Sequence, residues 1–153
     1  MEYIEGCDLF DYINKNLFFT ENKACYIFRQ LIGVVENLNN MGISHRDIKP
    51  ENILLDKVKK NIKVIDFCLS NYYIGKTLLH SSCGSPYYVS PEILSGEPYQ
   101  RIITDLWSSA IVLYSILVGS LPFDEQELPK LYEQIKFGKF FPIQLYLFKQ
   151  LIF

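Results

Sequence analysis

A chain of 153 residues that is 49% hydrophobic and 21% charged is long enough for one packed core and too apolar to stay disordered. Lys+Arg 15 against Asp+Glu 17 leaves a formal net charge of -2, with no basic block to track nucleic acid and no acidic tail, so no nucleic-acid partner is expected. The four cysteines, Cys7, Cys25, Cys68 and Cys83, form no C-x-x-C pair, which argues against a zinc or disulfide framework; with no signal peptide in view, an intracellular, cytoplasmic setting is expected.

In chain order, the first strong periodicity follows Thr20. Ala24, Ile27, Phe28, Leu31, Val35 and Leu38 recur at three-four spacing and predict an amphipathic helix, with Thr20 as N-cap, Glu21 in its first turn and Gly42 as its stop. Two β-rich pieces, Asn52 to Leu55 and Ile62 to Phe67, flank the turn Lys57 to Asn61 and predict a hairpin whose second strand is closed by Asp66. A second helix is expected from about Thr104 to Gly119, with Pro122 beyond it. Its longest apolar run, Leu106 to Val118, is broken by Ser108, Ser109 and Ser115 and is too short to span a bilayer, so no membrane partner is expected either. Being apolar nearly all round, this helix is predicted to lie at the centre of the core.

Between the first helix and the hairpin runs His45-Arg46-Asp47-Ile48-Lys49-Pro50-Glu51-Asn52, and Asp66-Phe67 closes the hairpin. These residue types set out the parts of phosphoryl transfer: an Asp to accept a hydroxyl proton, a Lys two residues on to balance phosphate charge, then an Asn and a second Asp with the hard oxygens that Mg²⁺ prefers.

Further motifs follow in order: Cys83-Gly84-Ser85-Pro86-Tyr87-Tyr88, Ser90-Pro91-Glu92 and Asp105-Leu106-Trp107-Ser108. Together they resemble the C-terminal lobe of eukaryotic serine/threonine protein kinases, in the calcium/calmodulin-dependent group and its AMP-activated, sucrose-non-fermenting branch. The resemblance implies a mainly α fold with a short β-hairpin and no N-lobe, a partial kinase domain over residues 1–142 and a degenerate apolar tail over 143–153. It implies ATP and Mg²⁺ as cofactors and a protein Ser/Thr substrate. By position, Asp47 and Lys49 would be catalytic, and Lys49 favours Ser/Thr over Tyr acceptors. Asn52 and Asp66 would hold metal. His45 would pack against Phe67, Ser85 would bridge Asp47 and Lys49, and Asp105 would receive backbone N–H groups of the catalytic loop.

The same resemblance makes Ser81 the site of an activating phosphate, with Arg46 its partner, since a phosphate adds about -1.5 to -2 charges and three acceptor oxygens. A regulatory kinase or subunit is an implied partner. Glu2 and Ile4 would face adenine through their backbone, Asp8 would face the ribose and Leu54 would pack under the base. A G-x-G-x-x-G loop and the strand Lys that complete a nucleotide site lie upstream of this point in the family, so half a site is expected.

Three departures from the family pattern bear on activity. Cys68 stands in place of a Gly whose missing Cβ lets the backbone take φ values costly to other residues. Ser90 and Ala110 are small-for-small changes. The tail from Ile143 replaces helices that carry an Arg partner for Glu92. Two functional classes fit: a kinase catalytic lobe, incomplete or inactive alone, and a pseudokinase-like interaction module docking through Pro86 to Tyr88 and Leu128 to Phe137.

Overall fold

The computed structural model describes residues 3–15, 19–57, 61–73, 83–96 and 98–140. Its elements are β1 (Gly6–Asp8), α1 (Leu9–Lys15), α2 (Glu21–Asn40), β2 (Ile43–Ser44), β3 (Ile53–Asp56), β4 (Ile62–Val64), β5 (Asn71–Tyr72), α3 (Pro91–Ser95), α4 (Arg101–Val118) and α5 (Leu128–Phe137), with single 3₁₀ turns at Pro50–Asn52 and Pro86–Tyr88. The fold is mainly helical with a three-stranded sheet, β1-β3-β4, and a two-stranded one, β2-β5.

α2 begins where its cap predicts: Thr20 has extended φ and ψ of -69° and 145°, and its hydroxyl accepts from the Lys23 N–H. One face buries Ala24, Ile27, Leu31, Val35 and Leu38, and packs on α4. Phe28, expected on that face, is only partly covered. Past the helix end, Gly42 takes φ +76° and its carbonyl accepts from the Tyr73 N–H. A Cβ there would lie 2.6 Å from the Tyr73 oxygen, so the position requires glycine.

The hairpin forms with Ile53 opposite Val64, Leu54 opposite Lys63 and Leu55 opposite Ile62, and β1 adds as a third strand on the β3 side. α2 clamps its far strand, since Ile62 N–H donates to Gln30 Oε1 at 3.0 Å. The second strand is shorter than predicted. It ends at Val64, and Asp66 stands beyond it with φ +65°, a left-handed backbone that cannot continue a ladder.

α4 also departs from expectation, starting at Arg101, a turn earlier than predicted, with Thr104 already buried inside it. It is not covered all round, because Ile103, Leu106 and Ala110 form an exposed stripe. The opposite side buries serines, and each is satisfied locally. Ser109 donates to the Asp105 carbonyl at 2.7 Å, Ser115 to the Ile111 carbonyl at 3.0 Å, and Ser108 to those of Thr104 and Tyr88. These bonds to the carbonyls one turn back let the helix bury hydroxyls within the core, as its central placement requires. α3 and α5 pack together and contribute Ile93, Leu131 and Ile135 to the core.

Candidate active site

The predicted catalytic loop joins β2 to β3 and is anchored from below by α4. Asp105, 2% exposed, accepts from the Arg46 N–H on one carboxylate oxygen at 2.8 Å, and from the His45 N–H and the Ser44 hydroxyl on the other at 2.9 and 3.0 Å. Burial pushes its carboxyl above the ordinary value, and these three hydrogen bonds oppose that push. Three donors fix the loop just where Arg46 adopts φ +66°, a conformation that a non-glycine residue holds only when its surroundings over-determine it.

His45 is fully buried and uses both ring nitrogens. Its Nδ1 accepts from the Asp47 N–H at 3.3 Å, so Nε2 carries the proton and donates to the Ile65 carbonyl at 3.1 Å. Its ring meets Phe67 edge to face, with centroids 4.7 Å apart. The histidine thereby ties the loop to the chain that presents Asp66, and both nitrogens are committed to structure.

Asp47 sits at the centre with both oxygens in use. One accepts from the Ser85 hydroxyl at 2.8 Å and the Ser85 N–H at 3.2 Å; the other faces the Lys49 ammonium at 2.8 Å and the Asn52 amide at 3.1 Å. Burial raises the affinity of this carboxyl for a proton, yet Lys49 and Ser85 together outweigh it and hold Asp47 below its ordinary value. Lys49 also donates to the Ser85 hydroxyl at 2.9 Å. A hydroxyl thus bridges the ammonium and the carboxylate. Asn52 spends its amide nitrogen on the Asp47 side chain and on the Asp47 carbonyl at 2.9 Å, which turns its amide oxygen away from Asp47. Sequence reasoning assigned Asn52 only to metal and missed this positioning role, for which residue type alone carries no signal.

Asp66 is exposed. The Cys68 thiol and the Cys68 N–H hold its carboxyl below the ordinary value, and Asp66 in turn pushes the thiol up. The left-handed backbone at this turn falls on Asp66 and not on Cys68, so the cysteine does not bear the strain that its replacement of glycine suggested. Instead its N–H donates to the Asp66 carboxylate at 3.3 Å.

Asp8 and Leu54 are directly paired across β1 and β3 and share one face of the sheet. Asp8 also caps α1, accepting from the Asp11 N–H at 2.7 Å. Ile4 lies half-buried ahead of β1. Glu2 and Ser81 lie outside the described residues, as does the tail 143–153. Arg46, the expected phosphate partner, donates through Nε to the Leu69 carbonyl at 2.6 Å. At the start of α3, Glu92 Oε2 is buried with no hydrogen-bond partner among the described residues, and Ser90 Oγ and Trp107 Nε1 are in the same condition. The four cysteines are free thiols, and no group of three metal-ligating side chains occurs among the described residues.

What the site can hold follows from its donors. Asn52 and Asp66 supply hard oxygens of the kind that bind Mg²⁺ alongside phosphate and water, and the Asn52 amide oxygen is turned away from Asp47, so these residue types fit that ion. No described helix is long and apolar enough to cross a membrane.

Residues 1–148 match the protein kinase domain family. Similar proteins include SNF1-related protein kinase catalytic subunit alpha KIN12 of Arabidopsis thaliana, 45% identical over 140 residues that make up 92% of this chain and 28% of that protein. The probable serine/threonine-protein kinase HSL1 of Saccharomyces cerevisiae is 41% identical over 140 residues, 92% of this chain and 9% of that protein. The chain therefore spans less than a third of the length of either relative.

Proposed function

Because this chain belongs to the protein kinase family, in its serine/threonine-specific, SNF1-like branch, we propose that its site transfers the γ-phosphate of ATP to a protein Ser or Thr. The observation that carries this reading is the hydroxyl bridge, in which Ser85 donates to Asp47 and accepts from Lys49 at 2.8 and 2.9 Å. An acceptor hydroxyl entering there meets a carboxylate to orient it and take its proton, and an ammonium to face the incoming phosphoryl oxygens. The lowered affinity of Asp47 for protons keeps it ionised and acceptor-only at neutral pH.

Asn52 and Asp66 are the residues that would hold Mg²⁺, which when bound neutralises phosphate charge. Asp8 and Leu54 would meet the ribose and the base, with Glu2 and Ile4 at the adenine edge. The 153 residues contain no G-x-G-x-x-G loop, so this reading assigns them the C-lobe, which carries substrate and metal, and assigns the phosphate-covering loop to a segment outside them. Phosphorylation at Ser81 would regulate the site through Arg46, placed by a regulatory kinase or subunit. The Cys68 N–H, which donates to the Asp66 carboxylate at 3.3 Å, supports the second reading, a pseudokinase-like module, because it engages a proposed metal ligand.

A chimera joining the N-lobe of an active SNF1-related kinase to this chain tests the proposal. It is expected to phosphorylate a Ser/Thr peptide, with Asp47→Asn lowering kcat by about 10²-fold or more. Undiminished transfer in Asp47→Asn would remove the role assigned to that carboxylate.

A further inference from the structure

A cavity of about 790 Å³ opens between α1, α2 and the turn end of β3. That is within the range, roughly 300–1,000 Å³, of pockets that enclose small organic molecules. It lies apart from the residues assigned to nucleotide. Cys7 and Leu55 are paired across β1 and β3 and line the cavity, whereas the next pair, Asp8 and Leu54, points to the opposite face of the same sheet.

The lining combines an apolar interior with cations. Ile27, a core residue of α2, and Leu55 supply aliphatic surface, and the ring of Tyr12 adds an aromatic face. Three lysines, Lys15, Lys23 and Lys57, line it against one acid, Asp56. Lys15 is paired with Asp11 at 3.0 Å. Lys23 instead lies over the Tyr12 ring at 4.4 Å from its centroid and bonds the Tyr12 hydroxyl, while the Lys57 ammonium has no ion-pair partner among the described residues. Neither of these two ammonium groups meets a carboxylate. An anionic guest gains attraction from both, a neutral one gains none, and a cationic one is repelled.

We propose that this cavity binds a small aromatic anion, its ring system against Tyr12, Ile27 and Leu55 and its acid group beside Lys23 and Lys57. The volume suits a single compact molecule. The site is independent of phosphoryl transfer, and nothing in it requires an active kinase.

Cys7, a partly covered free thiol in the lining, gives a direct reporter. The whole chain would be alkylated with iodoacetamide and mapped by peptide mass, with and without anilinonaphthalene sulfonate as the anionic probe and phenylnaphthylamine as its uncharged analogue. Exposed Cys25, outside the lining, serves as internal reference. The sulfonate is expected to slow Cys7 alkylation about fivefold or more at saturation, while the uncharged analogue at equal concentration slows it less than about twofold and Cys25 is unaffected. In Lys23→Met/Lys57→Met the advantage of the sulfonate should vanish; both side chains are exposed, and Lys57→Glu alone gives the same test should the double variant fold poorly. Equal protection by the two probes, protection that survives loss of the lysines, or sulfonate fluorescence without protection of Cys7 would each overturn the assignment.

Discussion

At the scale of single residues, Asp105 holds more of the site than its distance from Asp47 in sequence suggests. Its two oxygens receive three donors from Ser44, His45 and Arg46. Asp105→Asn keeps the shape but turns one acceptor into a donor, so at least one buried donor loses its bond. A cost of about 1–3 kcal/mol is expected, read as a lower urea midpoint at pH 7. Asp47 predicts a pH dependence. A carboxyl held below its ordinary value contributes stability that is complete above the unfolded value, near ~3.9, and is lost as pH falls through the folded value. The urea midpoint should therefore fall below about pH 4, and Asp47→Asn should flatten that limb. Much of this was legible in the sequence, because Asp47, Lys49, Asn52 and Asp66 are chemically specific types at fixed spacing. The engagement of Cys68 with Asp66 was not, since it depends on which residue of the turn takes the left-handed backbone. In the chimera, Cys68→Gly is expected to raise kcat by releasing Asp66; an unchanged or lower kcat would show that the bond does not restrain it.

Elements were legible where one physical signal dominated. α2 shows this: its three-four spacing and its Thr20 cap gave both its buried face and its start. α1, β1, β5 and α5 are short, and their partners come from distant segments, so no local pattern defines them; β1 exists because it pairs with β3. α4 departed from its pattern because an apolar composition does not say which side stays uncovered, and Ile103, Leu106 and Ala110 face outward. Two glycines make the element scale testable. Gly33 lies inside α2 with nothing within 4 Å of a built Cβ. Gly33→Ala should stabilise by about 0.5–1 kcal/mol, visible as a raised thermal midpoint. Gly6 behaves oppositely. A Cβ there would lie 1.9 Å from the Leu55 carbonyl oxygen, so Gly6→Ala should push β1 from β3, with faster amide exchange at Cys7 and Leu55.

For the whole molecule, composition speaks to solution behaviour more directly than to fold. A sequence pI of about 5.7 and a net charge of -2 leave little repulsion between copies in mildly acidic solution. Tyr3, Tyr72 and Phe137 are 87%, 65% and 69% exposed, so apolar surface is available once repulsion fades. Sedimentation velocity should show more association near pH 5.7 than at pH 8. Added salt at pH 8 should raise the sedimenting mass by screening the remaining charge. The tail makes a different prediction. Residues 143–153 carry Lys149 as their one charged side chain, so association through them would change little between the two pH values and would disappear on truncation after Lys139. If both pH values give the same mass and the truncated chain stays monomeric, the associating surface belongs to the tail, and the charge-controlled account is wrong.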